Sequence, residues 1–475
     1  MSICPEAAFS GQIAIGSMLA QALELHGTSS RNALTTDAES LTYRELAERV
    51  ADAARALAGL GIPEGEVVAL RGERTAETVI LFLAALRLGV PALIFDPLTP
   101  EALLTQQFEM CGVKRPPLAL SQLPVPSASA GIAEPDPDKL AMIQLTSGST
   151  GKPKGALLSQ GSLACNAAGV LDRTGLSPDD RLLHVMPLHH TNGINNQIIA
   201  PILAGASILL HSRFKAERAV EALSQNDITI MTGVPTIFAR MLPLIQGKRF
   251  PSLRFLRCGS APLTEQLHRE IEAGFETPLI VSYGLSEATC TSVMNVPADR
   301  CIGSVGRALR GQQLAIFRPG GDEQLEGGEG EIRIGGPALM QGYVGSDDQP
   351  IVSGWLRTGD LGTIDAAGNL RITGRLKDII IRGGENLSPA EIEAAALELA
   401  DVDACCVVGA PHKDLGEVPV LFVTTSAEGI DTAQISAHVR DRLSRIHEPD
   451  RVIVLPALPE NSVGKIDRKA LIAML

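Results

Sequence analysis

The stretch Thr146-Ser147-Gly148-Ser149-Thr150-Gly151-Lys152-Pro153-Lys154-Gly155 holds little apolar surface but many potential donors to an anion. Its glycines let the backbone approach a ligand, while its hydroxyls and lysines add hydrogen-bond donors and positive charge. A strand-like run at 140–145 precedes it, and a helix-like run begins near Gln160. Phosphates bind at glycine-rich loops between a strand and a helix in α/β proteins. The stretch therefore predicts a phosphate-binding loop, with a flexible surface loop as the alternative.

Strand-like and helix-like runs alternate from about residue 66 to residue 282. Ala92–Phe95 and Ser207–Leu210 are examples of the apolar strands, and Thr75–Leu88 and Lys215–Asn226 of the helices. This alternation predicts an α/β fold whose sheets are largely parallel and flanked by helices. After residue 310, paired glycines separate short strands, which indicates hairpins and a small barrel-like β region.

A smaller α+β unit is predicted from about Leu376 onward, with helices at 389–399 and 432–443 and strands at 402–408 and 418–423. A chain of 475 residues exceeds what one hydrophobic core usually supports. We therefore expect two domains, a large one at 1–376 and a small, mobile one at 377–475.

The composition excludes several classes of function. A net charge of −13 and an aromatic content of 3% argue against a nucleic-acid partner, which would need clustered basic residues and stacking platforms. The longest apolar run, 198–210, contains Pro201 and Gly205 and is too short to cross a bilayer. Eight scattered cysteines without a C-x-x-C pair, and no basic signal at the N-terminus, indicate reduced thiols and a cytoplasmic protein.

The glycine-rich stretch matches neither common nucleotide motif, because Pro153 stands where the G-x-x-x-x-G-K-[ST] pattern needs glycine. Its order of residues instead resembles the phosphate loop of the adenylate-forming superfamily, which includes acyl-CoA synthetases, luciferases and the adenylation domains of peptide synthetases. The resemblance implies ATP binding by Thr146, Ser147, Gly148, Ser149, Thr150, Gly151, Lys152 and Lys154, with Thr150 also near a magnesium ion.

A second segment, Tyr283-Gly284-Leu285-Ser286-Glu287, follows a strand at 278–282. Tyr offers a face for a purine and Glu an oxygen for Mg²⁺, although a strand-to-loop turn with a capping Glu has the same composition. The segment resembles the superfamily's Y-G-x-T-E, which implies that Tyr283, Gly284 and Ser286 bind the nucleotide and Glu287 the metal. Upstream, Gly259-Ser260-Ala261-Pro262 is similar to the family's turn beside adenine.

Further matches carry roles by resemblance alone. Asp360 matches the family's ribose-binding Asp, Arg375 a ribose or phosphate contact, and Lys377 the hinge between the domains. Gly383, Gly384 and Glu385 resemble one wall of the pantetheine tunnel. By composition alone, Asp360 would stand in an ordinary turn, and the charged cluster at 374–378 would be a solvated surface.

The segment Pro459-Glu460-Asn461-Ser462-Val463-Gly464-Lys465-Ile466-Asp467-Arg468 lies close to the C-terminus. A lysine after glycine near a chain end is ordinarily a solvated charge. Here the segment resembles the family's P-x-x-x-x-G-K-x-x-R, in which the lysine bridges the acid and the α-phosphate. The resemblance therefore implies that Lys465 is catalytic.

Pro187-Leu188-His189-His190 resembles the family's P-L-F-H, in which the His at position 190 contacts or shields the acyl site. Four stretches become candidates for the acyl pocket: 190–196, 232–235, 259–261 and 282–285. Thr191 and Asn192 stand where amino-acid-selecting relatives place Asp, and Ser282 where malonate-type ligases place Arg. Asn192, Asn195 and Asn196 suit a small polar acid, or else cap the following helix. These features rank a small or medium organic acid first, an aryl acid second and a long fatty acid third.

The implied reaction activates a carboxylic acid with ATP and Mg²⁺ as an acyl-adenylate, and then transfers the acyl group to a thiol. Coenzyme A is the first choice of acceptor, and the phosphopantetheine of an acyl carrier protein is the alternative. A nucleotide-binding protein without activity is the third reading, disfavoured because binding alone requires neither Glu287 nor Lys465.

Overall fold

The computed structural model describes residues 4–126, 132–147, 153–426, 429–460 and 466–475. Its α-helices, in chain order, are α1 (Glu6–Phe9), α2 (Ile15–His26), α3 (Tyr43–Gly59), α4 (Ala76–Leu88), α5 (Glu101–Cys111), α6 (Gln160–Thr174), α7 (Ala200–Ala204), α8 (Ala216–Gln225), α9 (Pro235–Met241), α10 (Glu265–Phe275), α11 (Pro389–Ala396), α12 (Thr432–Arg442) and α13 (Arg468–Ile472). A π-helical segment, Asn192–Ile199, leads directly into α7. Short 3₁₀ turns include Ser286–Ala288 and Leu376–Asp378.

The strands, in chain order, are β1 (Asn32–Thr35), β2 (Ser40–Thr42), β3 (Val68–Arg71), β4 (Ala92–Phe95), β5 (Leu140–Ser147), β6 (Pro153–Ser159), β7 (Arg181–His184), β8 (Ser207–Leu210), β9 (Ile230–Gly233), β10 (Phe255–Gly259), β11 (Leu279–Tyr283), β12 (Val293–Met294), β13 (Arg307–Ala308), β14 (Gln313–Phe317), β15 (Gly330–Gly335), β16 (Tyr343–Val344), β17 (Ile351–Val352), β18 (Trp355–Ile364), β19 (Leu370–Arg375), β20 (Ile380–Arg382), β21 (Glu385–Leu387), β22 (Ala404–His412), β23 (Gly416–Thr424) and β24 (Arg451–Val454).

The central sheet has the order β13-β12-β11-β10-β9-β7-β8-β1-β2. The inner strands from β11 to β1 run parallel, whereas β12, β13 and β2 add antiparallel edges. The predicted α/β fold with a mainly parallel sheet is confirmed. Because the carboxyl ends of parallel strands meet at one edge, the segments that follow β7, β9, β10 and β11 are brought together there.

The alternation begins earlier in the chain than predicted, since β1 and β2 precede residue 66. β1 pairs with β8, and the buried Tyr43 at the start of α3 donates its hydroxyl to Ala206 O at 2.7 Å. The strand is short and polar at its exposed first residue, Asn32, so its sequence gives a weak period-two signal. Its place in the sheet depends on pairing with residues far along the chain.

A second sheet, with the order β16-β6-β5-β4-β3, corrects one prediction. Thr146 and Ser147 end β5, while Pro153, Lys154 and Gly155 begin β6, so these residues are strand rather than loop. β5 and β6 pair antiparallel from Ser147↔Pro153 back to Leu140↔Ser159, and β16 pairs with the other side of β6. The predicted helix does begin at Gln160, where Ser159 Oγ accepts from Ser162 N at 3.0 Å as an N-cap.

Contacts within the chain group it into two units, Met1–Leu314 with Arg333–Arg357, and Ala315–Ile332 with Thr358–Leu475. A third sheet has the order β14-β15-β18-β17, with β19 on β18, and β14, β15 and β18 each carry the chain from one unit to the other. The division predicted at 376 and 377 stays a prediction. Among the described residues, no helix has the length and apolarity needed to span a bilayer.

The second unit contains a sheet ordered β21-β20-β23-β22, with β24 parallel to β23. Helices α11 and α12 cover it with buried residues such as Ile392 and Ile435. Arg468, the first residue of α13, lies over β22, where its Nη2 is 2.8 Å from Glu393 Oε1. Its Nη1 also donates to the Val407 carbonyl. The ion pair ties the last helix to α11, and the hydrogen bond ties it to β22.

Candidate active site

The carboxyl edge of the central sheet assembles the predicted pocket stretches. Gly259, at the end of β10, is in register with Ser282 of β11, and Cys258 with Gly233 of β9. A Cβ atom at position 259 would lie 2.7 Å from Ser282 Oγ, so only glycine fits this close approach. Ser260 follows with a φ of +67°, which turns the chain sharply out of the strand.

The segment after β11 folds back on itself. Ser292 N donates to Tyr283 O at 2.9 Å, and a Cβ atom at Gly284 would lie 1.9 Å from Cys290 O. Thr289 and Cys290 both have positive φ, at +66° and +148°. Such strained backbone in non-glycine residues persists only where packing enforces it, and it is common at functional sites. Here this backbone conformation accompanies a contact between Thr291 and the side chain of Arg257 on β10.

Glu287, the predicted metal ligand, lies in the 3₁₀ turn after β11 and is held by contacts from a distant strand. Tyr343 of β16 donates its hydroxyl to Glu287 Oε1 at 2.5 Å, and Met340 N donates to Glu287 O at 2.8 Å. Burial, with the charge of Glu287 beside it, raises the pKa of Tyr343, so the phenol stays protonated as a donor. The carboxylate is therefore fixed in orientation by a residue that the sequence analysis did not single out.

Lys154 joins this arrangement from β6. Its Nζ lies 3.8 Å from the centre of the Tyr343 ring and 3.4 Å from Asp348 Oδ2. Lys154, Tyr343 and Glu287 thus form one continuous contact chain at the base of the predicted phosphate loop. The remaining predicted phosphate ligands, Gly148, Ser149, Thr150, Gly151 and Lys152, lie outside the described residues.

His190, predicted at the acyl site, and its neighbour His189 precede the π-helical segment. Gln144 Nε2 donates to His189 O at 2.8 Å, and the two imidazole rings are 4.5 Å apart. Burial lowers the pKa of His189 while the nearby Asp96 opposes the change, so this ring is neutral at pH 7. His190 O accepts from Gly193 N at 2.9 Å, which places His190 at the entry to the segment that carries the asparagines.

A buried polar layer lies between that segment and the sheet. Asn196 Nδ2 is 3.0 Å from Asn192 Oδ1, 2.9 Å from Cys290 Sγ and 3.1 Å from Thr291 Oγ1. Asn195 Nδ2 donates to Thr289 O at 2.8 Å. In the described chain, the side-chain oxygens of Asn195 and Asn196 are buried without a hydrogen-bond partner. The asparagines lie inside the helical segment, so the interpretation that they cap a following helix is wrong.

Arg257 of β10 completes this layer and was missed by the sequence analysis. Its Nη2 donates to Thr291 Oγ1 at 2.5 Å and its Nε to Ser282 Oγ at 3.3 Å. Cys290, also in the layer, is a free thiol whose pKa is raised by burial, with Arg257 opposing the rise. A cationic residue inside the otherwise apolar run Phe255–Cys258 was the available signal.

The second unit holds the other predicted nucleotide contacts. Asp360 is 2% exposed and lies 2.6 Å from Arg375 Nε, because β18 and β19 pair these two positions. Lys377 follows in the 3₁₀ turn Leu376–Asp378. Gly383 and Gly384 take φ values of +60° and +89° in the turn between β20 and β21, just before Glu385. Lys465 lies outside the described residues.

The described residues contain no cluster of three or more His, Cys, Asp or Glu that could hold a metal ion. Magnesium, however, is commonly bound through one or two carboxylates together with substrate phosphates and water. The single oriented carboxylate of Glu287 fits that mode of binding.

Comparison with known proteins places these features in context. The family model described as AMP-binding enzyme matches residues 22–116 and 117–344, and that of the AMP-binding enzyme C-terminal domain matches 391–465. Indoleacetate–CoA ligase of Aromatoleum aromaticum is 33% identical, covering 92% of this chain and 93% of its own. Sulfoacetate–CoA ligase of Cupriavidus necator is 32% identical, covering 91% and 92%. The structure of O-succinylbenzoate coenzyme A synthetase from Bacillus subtilis, in complex with ATP and magnesium ion, superimposes with a TM-score of 0.85 at 27% identity, covering 95% of this chain and 98% of that one.

Proposed function

The chain belongs to the AMP-binding enzyme family, and from this premise we propose that it activates a small or medium organic acid at the polar edge of its central sheet. The protein is an AMP-forming acid–thiol ligase. It converts a carboxylic acid with ATP to an acyl-adenylate and then transfers the acyl group to coenzyme A. The curated relatives it matches are CoA ligases, which favours coenzyme A over a carrier protein as acceptor.

The buried polar layer carries the proposal about the acid. Asn195 and Asn196 are buried at this edge with side-chain oxygens that have no hydrogen-bond partner among the described residues, and a long alkyl chain would leave those oxygens unpaired. The acids named for two of the relatives, sulfoacetate and indoleacetate, are not long fatty acids, which supports this ranking. An aryl acid such as the one named in feruloyl-CoA synthase is the second candidate.

The chemistry of the first step is mainly electrostatic. A carboxylic acid is already ionised near pH 7, so no general base is needed, but an anion has to approach a polyanion. We assign Lys154 and the residues from Thr146 to Lys152 to the β- and γ-phosphates. We assign Glu287 and Thr150 to Mg²⁺, which would neutralise phosphate charge. Lys465 would meet the charge that develops on the α-phosphate, and His190 would shield the acyl site.

The adenine and the ribose of the nucleotide are assigned to other residues. Tyr283, Gly284 and Ser286, with the turn Gly259-Ser260-Ala261, would contact adenine. The buried Asp360, oriented by Arg375, offers a carboxylate to the ribose hydroxyls. For the second step, we propose that the small domain turns about Lys377, so that Gly383, Gly384 and Glu385 replace Lys465 at the reaction centre.

Lys465→Ala provides the test of these roles. It should lower acid-dependent ATP–pyrophosphate exchange on the order of 10²–10³-fold, because one preorganised charge is lost. Thioester formation from supplied acyl-adenylate and coenzyme A should continue at the wild-type rate. Equal loss in both assays, with the fold intact, would contradict the two-step assignment. Exchange measured across a panel of carboxylates would identify the acid class.

We also propose a cytoplasmic location, supported by eight cysteines, all of them among the described residues, that form no disulfide.

A further inference from the structure

Arg257 is a buried cation that has no carboxylate partner among the described residues. The residue is 3% exposed, and its hydrogen bonds go to two neutral hydroxyls, those of Ser282 and Thr291. In the part of the chain that the structure describes, no carboxylate acts on it, and the Cys290 thiol is the ionisable group beside it. Burial lowers its pKa to about 10, so the guanidinium remains charged at neutral pH.

Such an arrangement is costly for the fold alone. A charge taken out of water without a counter-charge destabilises a protein unless other groups compensate. Ser282 and Thr291 supply dipoles but no negative charge, and an apolar side chain in β10 would continue the run Phe255–Cys258. A requirement of packing therefore does not explain an arginine at this position, whereas a requirement for an anion does.

The position of Arg257 shows where that anion would lie. Thr291 Oγ1, which accepts from Arg257, also contacts Asn196, and Asn192 Nδ2 lies 3.5 Å from Ser260 Oγ. The guanidinium thus borders the same polar layer that leads to the turn after β10. Because a strand rises roughly 3.3 Å per residue, only about 7 Å of backbone separates Arg257 from Gly259. An anion there would be a short distance from the reacting carboxylate.

We propose that Arg257 binds a second anionic group of the substrate, a carboxylate or a sulfonate, so that the enzyme activates one end of a short dianionic acid. This inference rests on the proposed function, since it names the substrate class of the same pocket. A guanidinium suits this task because its planar fork presents paired donors to two oxygen atoms. The amides of Asn192 and Asn196 would line the path between the two ends of the acid.

Matched pairs of acids test the proposal on the full-length enzyme by ATP–pyrophosphate exchange. Succinate is compared with butyrate, glutarate with valerate, and 3-sulfopropionate with butyrate. We expect kcat/KM to be on the order of 100-fold or more higher for the dianionic member of at least one pair, because a pocket built for a polar group rejects its apolar analogue. The sulfonate and carboxylate arms show which anion is preferred.

Arg257→Met should lower kcat/KM for the dianionic acid far more than for the monoacid and so abolish the preference, whereas Arg257→Lys should retain part of it. The control Arg269→Met, on the exposed face of α10, should leave selectivity unchanged. As a readout independent of activity, a dianionic acid should raise the Tm of the wild type but not that of Arg257→Met, since only the former binds it tightly.

Equal use of both members of every pair, with the same selectivity in Arg257→Met, would overturn this inference and leave the proposed function standing. If no carboxylic acid supported exchange in the wild type, the proposed function would fail and this inference with it.

Discussion

Arg257 is buried and Arg468 is partly buried, and the groups that surround the two charges differ. Arg468 lies 2.8 Å from Glu393 and 3.9 Å from Asp378. Burial lowers its pKa, but the charges of Glu393 and Asp378 outweigh burial and raise it. Among the described residues, Arg257 donates to two hydroxyls and has no carboxylate beside it, and burial lowers its pKa. Arg468 therefore has a structural role in the small unit, whereas Arg257 is proposed to bind an anionic group of the substrate.

The largest expected effect separates the two arginines by stability. Arg468→Met should destabilise the protein by about 3 kcal/mol, because it leaves Glu393 partly buried without its partner. Hydrogen exchange in β22 and β23 would report the loss locally. Adding Glu393→Gln should recover part of it. If Arg468→Met were as stable as Arg257→Met, the distinction between a paired and an unpaired arginine would be wrong.

His184 shows a third response to burial, which is to remain neutral. It is fully buried at the end of β7, its Nε2 lies 2.9 Å from Gly193 O, and burial lowers its pKa to about 3. The unfolded chain binds a proton near pH 6.5, so the stability associated with this histidine is complete above that pH and is lost as pH falls toward 3.

Through this histidine, lowering the pH from 7 to 5 should therefore reduce the free energy of unfolding of the wild type by about 2 kcal/mol. Urea unfolding at pH 7, 6 and 5 measures the change, and His184→Gln should make the pH dependence shallower by that amount. Identical pH dependence in the two proteins would show that His184 titrates normally. Arg257, by contrast, stays protonated and charged between pH 5 and pH 7, whereas the buried His184 is neutral.

The smallest expected effect concerns a carboxylate that a neutral donor holds in place. Tyr343→Phe removes the 2.5 Å hydrogen bond to Glu287 and should weaken magnesium binding by about 1 kcal/mol. We expect the magnesium concentration for half-maximal exchange to rise roughly fivefold. The control Tyr43→Phe removes a hydroxyl that donates to Ala206 O, away from the site, and should leave magnesium dependence unchanged. An unaltered dependence in Tyr343→Phe would mean that Glu287 needs no positioning.

Local sequence predicted most of the central fold because its strands are short apolar runs. Ala92–Phe95 and Ser207–Leu210 occur with the predicted bounds, as β4 and β8. Only the first three residues of β6, Pro153, Lys154 and Gly155, fall in the predicted loop, and they are poor strand formers on their own. The conformation of β6 comes from pairing with β5 and with β16, almost 190 residues later. Such long-range pairing leaves no trace in local periodicity.

The site divides in the same way. Gly259, Tyr283 and Glu287 belong to motifs, and the sheet's register brings their segments to one edge as expected. Arg257 belongs to no motif, and the partners that define its role lie 25 and 34 residues downstream on other elements. Tyr343 was also missed, since a lone tyrosine in a glycine-rich region gives no sign that it contacts Glu287. Sequence motifs thus give the candidate site residues, whereas Arg257 and Tyr343, which contact that site, are found only from the tertiary structure.

Cys290 illustrates what burial does for an enzyme that makes an acylating agent. Its Sγ lies 2.9 Å from Asn196 Nδ2, within the layer proposed to receive the acid. A thiolate there would compete with coenzyme A for the activated acyl group and would leave the enzyme self-acylated. Because burial raises the thiol's pKa, the sulfur stays protonated and is a poor nucleophile. With its thiol protonated in this way, Cys290 would not be acylated by an acyl-adenylate formed in the proposed acid site.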